Sequence, residues 1–124
     1  DFYNPLYLEA WLNVAKFNKD IKFYCYSKSL NFFMETFLPN NFYLTASYGG
    51  KYDYLINQGY FTRYSKVVFS KDEAKRLGLE IDTDDSCCFK NKPFALLLHG
   101  LQEKNTLSAF ALREIKRNKK LVTV

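Results

Sequence analysis

Short apolar runs alternate along the chain with segments that carry helix signals. The runs, rich in β-branched and aromatic residues, cover residues 21–26, 42–46, 64–69 and 94–98. They recur every roughly 20 to 30 residues, the size of a strand with its crossover helix. A helix between two consecutive strands forces those strands to run parallel. The pattern therefore predicts an α/β fold, with a mostly parallel sheet of at least four strands and flanking helices.

Helix signals fill the segments between these runs. Asn4 followed by Pro5 is a capping side chain with proline at the first helical position. The apolar residues that then repeat at helical spacing, and that we expect to be buried, are Leu8, Trp11, Leu12 and Ala15. Ser29 is predicted to cap a second helix, and residues 51–58 to form a short helix closed by Gly59.

The best-defined local signal lies at Ser70–Glu73, which has the S-x-x-E pattern of a capping box. Gly78 then supplies the left-handed residue that ends a helix. Residues 106–118 are predicted to form the last helix, and residues 121–124 a terminal strand.

Length and composition indicate one domain covering residues 1–124. The chain is 48% hydrophobic and 19% aromatic, which is enough apolar material for a core, and no linker or repeat divides it. Asp1-Phe2-Tyr3 leads directly into a helix signal, so we expect the chain to begin just after a strand and to lack an N-terminal portion. It would then be a piece of a larger barrel-like or open-sheet domain, whose exposed strand edge favours pairing into homo-oligomers.

Charge and cysteine content restrict the setting. The net charge is +5, with cations concentrated towards the C-terminus. We interpret these cations as a solvated helix end, with nucleic-acid binding as the alternative. The three cysteines Cys25, Cys87 and Cys88 make a poor disulfide framework. No run approaches a membrane span and no signal peptide is visible. We therefore expect a cytoplasmic protein without a membrane partner.

Polar residues follow the predicted strands and mark a candidate site. Asp1, Ser27, Ser47 and His99 each stand where a strand ends. Parallel strands bring their carboxyl ends to one edge, where α/β proteins bind ligands. His99 is the single histidine and the candidate general acid or base, and Asp1 is a second candidate catalytic residue. A hydrogen-bonded histidine at a polar edge is the alternative.

Three loops at this edge have features of an anion site. After the fourth strand come Gly100, Gln102 and Lys104, which combine close backbone approach with positive charge. This loop is not a Walker A loop, and an ordinary turn into a capped helix is the alternative.

The other two loops follow the first and second strands. They contribute Ser27 with Lys28, and Ser47 with Gly49, Gly50 and Lys51. Plain capping by Ser29 and a flexible glycine turn are their structural alternatives.

The one acidic cluster covers Asp82 to Cys88. Its carboxylates are ligands that Mg²⁺ and Ca²⁺ prefer, yet the EF-hand spacing is missing. Zinc sites use a C-x-x-C-like spacing, and adjacent cysteines chelate one ion poorly. We therefore predict a solvated loop without a metal site.

Several segments carry a family resemblance: Asp1-Phe2-Tyr3, Trp11, IKFYCYSKS at residues 21–29, Ser47 with Gly49-Gly50, and FALLLHG at residues 94–100 followed by Gln102 and Lys104. Together these segments resemble the gene-product-eighty-eight family, an uncharacterised group of bacteriophage and marine viral proteins. The resemblance implies that fuller members of the family carry an upstream cysteine-containing portion; if that portion held a metal or cluster, this chain would be only the remaining half. The resemblance transfers no activity, cofactor or catalytic residue.

From these features we expect a domain that binds a phosphate-bearing ligand or nucleotide at the carboxyl ends of its strands. Lys28, Lys51 and Lys104 would neutralise phosphate, while Ser27, Ser47 and Gly100 would donate hydrogen bonds. Two alternatives remain open: a non-enzymatic module that binds nucleic acid or self-associates, and a truncated fragment without activity. Whether the domain is an enzyme is left open by the sequence.

Overall fold

The structure is a computed structural model that describes residues 1–99, 102 and 104–122, with side chains as far as residue 117. The helices are α1 (Pro5–Phe17), α2 (Asp53–Asn57), α3 (Lys71–Leu77) and α4 (Leu107–Val122). The strands are β1 (Phe23–Ser27), β2 (Phe42–Ser47), β3 (Tyr64–Val68) and β4 (Phe94–Leu97). Two 3₁₀ helices, Leu30–Phe33 and Ser86–Phe89, lie between them.

The described strands form one four-stranded sheet in the order β1-β2-β3-β4, and every neighbouring pair is parallel. The predicted α/β class is therefore confirmed. Each crossover steps one strand in the same direction, and right-handed crossovers of that kind place their helices on one face of the sheet. Consecutive strands of a β/α barrel are ordered in the same way.

One face of the sheet is covered by helices and is apolar. Side chains alternate between the faces of a strand, so Phe42, Leu44 and Ala46 of β2 share this face. The buried residues of α1 that pack against it are Leu8, Leu12 and Ala15. We call this surface the helix-covered face.

The opposite face carries hydroxyl groups. Its residues, which we call the tyrosine face, are Tyr24 and Tyr26 of β1, Tyr43 and Thr45 of β2, and Ser65 of β3. The second 3₁₀ helix packs on this face: Phe89 contacts the rings of Tyr24 and Tyr43 edge-on, with centroids 5.5 and 5.0 Å apart.

The start of α1 is as predicted, but Trp11 is not buried with the other apolar residues of this helix. The Asn4 side chain accepts a hydrogen bond of 2.8 Å from the Tyr7 amide, and Pro5 is the first helical residue. Trp11, however, is 42% exposed. It lies with Tyr7 beside β1, where it lines a shallow cavity of about 260 Å³. Because β1 is an outer strand of the described sheet, no further strand among the described residues covers the indole.

The capping box of α3 is confirmed with one refinement. The Ser70 hydroxyl accepts a hydrogen bond from the Glu73 amide, and Gly78 has the left-handed φ of 69°. The Glu73 carboxylate accepts from the Phe69 amide at 2.7 Å rather than from Ser70. This hydrogen bond joins α3 to Phe69, the residue that precedes the capping residue and directly follows β3.

Two local predictions are wrong, a helix cap at Ser29 and a strand at the end of the chain. Ser29 makes no side-chain cap to the short 3₁₀ helix that follows, because its hydroxyl donates instead to the Phe2 carbonyl at 2.7 Å. The predicted terminal strand at residues 121–124 is replaced by α4, which continues to Val122. Residues 123 and 124 lie outside the described residues.

Candidate functional site

The carboxyl edge of the sheet brings some of the predicted residues into contact. Asp1 Oδ1 accepts a hydrogen bond of 2.6 Å from the Ser27 hydroxyl, and Asp1 Oδ2 accepts one of 2.7 Å from the Lys28 amide. Ser27 is 1% exposed, and its oxygen accepts from the Ser29 amide. The carboxylate of Asp1 therefore fastens the chain start to the end of β1. This geometry favours a structural role for Asp1, and a catalytic role stays a prediction.

Lys28 lies across the glycine pair that follows β2. A Cβ atom added at Gly50 would lie 3.2 Å from the Lys28 Cβ, and one added at Gly49 would lie 3.4 Å from the Lys28 Nζ. Gly49 also has φ of 106°, a conformation that L side chains rarely adopt. The two glycines thus leave the space that the lysine side chain occupies.

The amides of this glycine pair already bind an anion of the chain itself. Both oxygens of the Asp53 carboxylate accept from the Gly49 amide at 3.1 Å, and one accepts from the Gly50 amide at 3.0 Å. Asp53 stands at the start of α2. A phosphate at this edge would therefore be bound by side chains rather than by these backbone amides, unless it displaced the Asp53 carboxylate.

The other predicted residues at this edge make weaker contacts. Ser47 Oγ lies 3.5 Å from the Tyr48 carbonyl oxygen, at the limit of a hydrogen bond. Lys51 Nζ lies 5.1 Å from the centre of the Tyr52 ring. His99 is exposed just beyond β4, and its backbone carbonyl accepts from Gln102 Nε2 at 3.0 Å. Nothing in the described residues joins the His99 imidazole to Asp1 or Lys28.

The predicted anion loop after β4 contributes to a different surface. Gln102 and Lys104 line a groove of about 420 Å³ together with Asn105 and residues of α4, namely Ala109, Leu112, Arg113 and Lys116. Gly100 lies outside the described residues. The predicted site residues that the structure describes therefore fall into one cluster around Lys28 and a second group beside α4, with His99 joined to neither Asp1 nor Lys28.

A further constellation lies on the tyrosine face and was missed from the sequence. One side-chain oxygen each of Asp82 and Asp85 and the Cys88 sulfur all lie within 4.8 Å of one another. The predicted solvated loop is wrong at its two ends, because Asp82 is 7% exposed and Cys88 is fully buried. The cause is the second 3₁₀ helix, whose Cys87 and Cys88 pack with Phe94 of β4 in a small apolar cluster against Tyr26.

Tyrosine hydroxyls hold Asp85 in place. Tyr26 donates to Asp85 Oδ1 at 2.9 Å, and Tyr24 donates to Asp85 Oδ2 at 3.2 Å. The charge of Asp85 is the main cause that raises the pKa of Tyr24. Burial is the main cause for Tyr26, whose pKa is raised further by hydrogen bonding to Cys88 and Asp85. Both phenols thus remain protonated donors at neutral pH.

Cys88 is a protonated thiol in these surroundings. Burial raises its pKa, whereas the Tyr26 and Thr45 hydroxyls beside the sulfur act in the opposite direction. Cys87 also has a raised pKa, through burial and the charge of Asp82. The sequence signal for this constellation is the spacing D-x-x-D-x-x-C, in which one of the two adjacent cysteines suffices. The prediction against zinc considered both cysteines as ligands of one ion, whereas in the structure Cys88 lies with Asp82 and Asp85.

Among the described residues, no helix is both long and apolar enough to cross a membrane. The family model described as Gene product 88 matches residues 1–120. Because the match extends over nearly the whole chain, the chain belongs to that family, and the resemblance found in the sequence is confirmed. No curated protein and no solved structure matches the chain.

Proposed function

We propose that this member of the Gene product 88 family binds a phosphate-bearing ligand or nucleotide at the carboxyl edge of its sheet, with Lys28 as the principal cation. One observation supports this most: Lys28 is held across Gly49 and Gly50, and within residues 1–99, 102 and 104–117 no carboxylate lies within 4.0 Å of its ammonium. A positioned ammonium without an ion-pair partner gains a charge-assisted contact when an anion binds.

The surroundings of Lys28 suit a phosphate that is recognised by side chains. Ser47 lies at the end of the neighbouring strand, and its weak internal hydrogen bond leaves the hydroxyl available. Lys51 adds a second cation directly after the glycine pair. His99 belongs to the same edge through β4 and is our candidate for proton transfer, although binding alone does not require it. Ligands of open α/β sheets bind at this end of the strands.

Binding of ATP and of inorganic phosphate, followed by isothermal titration calorimetry, tests the proposal. Lys28→Met keeps much of the aliphatic stem and removes the charge, so we expect at least about tenfold weaker binding, equivalent to 1.4 kcal/mol. The matched control is Lys19→Met, an exposed lysine just after α1. Equal affinity of Lys28→Met and wild type, or no binding by wild type, would overturn the proposal.

The groove beside α4 supports a second candidate function, the binding of nucleic acid. Lys104, Arg113 and Lys116 all line it, and none of them has a carboxylate within 4.0 Å in the described part of the chain. Retention on single-stranded DNA that falls steeply with salt, and that Arg113→Ala weakens, would favour this function. Salt-independent retention would count against it.

Self-association through a strand edge is the remaining part of this alternative. β1 and β4 are the outer strands of the described sheet, and β1 is flanked by the exposed rings of Trp11 and Tyr24. Sedimentation analysis over a concentration series tests it, and Trp11→Glu should dissociate an oligomer formed at this edge. We place the protein in the cytoplasm of a bacterial host as part of the same proposal.

A further inference from the structure

We propose that Asp82, Asp85 and Cys88 form a binding site for a divalent cation of the zinc type on the tyrosine face. Their ligand atoms, two carboxylate oxygens and one sulfur, lie within 4.8 Å of one another. With Zn–S near 2.3 Å and Zn–O near 2.1 Å, the ligand atoms of a tetrahedral ion lie about 3.5 Å apart. Closing the site therefore requires side-chain shifts of roughly 1 Å.

Two buried oxygen atoms at the site make no hydrogen bond of good geometry to the described residues, Asp82 Oδ2 and Thr45 Oγ1, and only the weakly hydrogen-bonding thiols of Cys87 and Cys88 lie beside these side chains. Asp82 is 7% exposed, and Thr45 is fully buried on β2 beside the Cys88 sulfur. Leaving a buried polar group unpaired costs about 1 to 3 kcal/mol. A cation at this position would satisfy Asp82 directly and, by converting Cys88 to a thiolate, would give the Thr45 hydroxyl a strong acceptor.

The charge around the site also points to a cation. In the part of the chain that the structure describes, neither Asp82 nor Asp85 has a lysine or arginine nitrogen within 4.0 Å. The lysines of the same loop are engaged elsewhere, since Lys90 and Lys92 pair with Glu80 at 3.3 and 3.0 Å. No ion pair within 4.0 Å balances the two carboxylates in this part of the chain; the charge of Lys90 does interact with Asp82, but Lys90 is already paired with Glu80, and a divalent ion would supply the missing positive charge.

The chemistry of the ligands selects the kind of ion. A thiolate with two carboxylates favours zinc or a similar borderline ion, whereas Mg²⁺ and Ca²⁺ prefer ligands that are all oxygen. On binding, the Cys88 thiol releases its proton to solvent and the sulfur forms a bond to the ion. Three protein ligands leave the fourth position of a tetrahedral ion open to water or to an outside ligand.

The surroundings resemble the outer shell of known metal sites in their hydrogen bonds. Tyr24 and Tyr26 donate to the two oxygens of Asp85 and fix its orientation, as donors to ligating carboxylates do. Asp85 and Tyr24 are exposed, so an ion reaches the site from solvent without unfolding of the core. This inference concerns the opposite side of β1 and β2 from the helices and does not depend on the proposed phosphate site.

Titration with Co²⁺ and then Zn²⁺ tests the site, with equilibrium dialysis for stoichiometry. We expect one Co²⁺ per chain, a thiolate-to-cobalt charge-transfer band in the near ultraviolet, and displacement of Co²⁺ by Zn²⁺ but not by Mg²⁺. Asp85→Asn should abolish tight binding while preserving the fold, because asparagine also tolerates the left-handed φ of 65° at this position. Tyr26→Phe should weaken binding by about 10- to 100-fold.

Matched controls separate a specific site from general attraction of cations. Cys88→Ser should lose the charge-transfer band and Cys87→Ser should keep it, since only Cys88 is placed to ligate. Asp84→Asn, one residue away from Asp85, should bind as wild type does. A band that survives in Cys88→Ser, equal binding by Asp85→Asn and Asp84→Asn, or no stoichiometric binding by wild type would refute the site.

Discussion

The two faces of the sheet differ in what they bury. On the helix-covered face, β2 presents Phe42, Leu44 and Ala46 to the helices, and the contacts there are apolar. On the tyrosine face, the same strand presents Tyr43 and Thr45 to a short 3₁₀ helix that carries Cys87 and Cys88. Alternate residues of this one strand therefore pack into two different layers, an apolar core on one face and a layer with unpaired polar atoms on the other.

This difference shows where the chain accepts a cost in stability. Burial of apolar side chains is favourable wherever it occurs, whereas a buried hydroxyl or carboxylate without a partner is unfavourable. Both unpaired atoms found in the described residues, Thr45 Oγ1 and Asp82 Oδ2, belong to the tyrosine face or the loop that packs on it. Polar groups retained at a cost in stability are candidates for function, and within the described residues no such side-chain atom lies on the helix-covered face.

The largest expected effect is on the helix-covered face. Leu44→Ala should lower the free energy of unfolding by about 2 to 5 kcal/mol, through lost burial and the cavity left behind. Urea unfolding at neutral pH measures it. Val67→Ala, at an exposed position on the neighbouring strand β3, is the control and should cost much less. A loss below about 1 kcal/mol for Leu44→Ala would mean that this face is not a packed core.

A polar contact that anchors the helix-covered face should come next. Asn41 Nδ2 donates to the carbonyls of Ala15, Asn18 and Ile21 at 2.9 to 3.0 Å, joining the end of α1 to the start of β2. Asn41→Ala should cost about 1 to 3 kcal/mol, because carbonyls lose their donor. Asn40→Ala, an exposed neighbour, should leave the unfolding midpoint nearly unchanged. Similar midpoints for the two variants would show that the contact contributes nothing.

The comparison is most direct at Thr45, the residue after Leu44. Thr45→Val replaces an unpaired buried hydroxyl with a methyl group of similar size, so we expect the metal-free protein to become more stable by about 1 kcal/mol. Unfolding in the presence of a chelator checks this sign. Destabilisation would show that the Thr45 hydroxyl has a hydrogen-bond partner that matters for the fold.

The smallest expected effect is a difference in alkaline stability. The pKa of Tyr26 is higher in the folded than in the unfolded chain, because of burial and the neighbouring Cys88 and Asp85. Its stabilising contribution is therefore complete below the unfolded pKa of about 10 and is lost as the pH rises above it. Tyr26→Phe should show a shallower decline in unfolding free energy between about pH 9.5 and 11 than wild type. Tyr60→Phe, an exposed tyrosine, should follow wild type.

Local signals predicted most of the elements but not their surroundings. The cap at Asn4 and the box at Ser70 were predictable because each depends on residues within four positions. The same local argument gave a wrong prediction of a helix cap at Ser29, because the Ser29 hydroxyl donates to the Phe2 carbonyl, 27 residues away. Lys28 was identified as a candidate from its place after β1, yet its position across Gly49 and Gly50 depends on the pairing of β1 with β2.

By itself, the sequence determined the parallel α/β class and the family, because hydrophobic periodicity, crossover length and short motifs are local properties of the chain. Only the tertiary structure decided which residues meet. Asp82 and Cys88 are polar or small residues in an acidic segment, and the spacing D-x-x-D-x-x-C, although visible in the sequence, does not indicate that this segment is buried. They become a buried group because Phe89 and Phe94 anchor the segment on the tyrosine face. Asp85 lies against Tyr24 and Tyr26, 61 and 59 residues earlier in the chain, and such long-range contacts depend on the packing of the whole fold rather than on local sequence.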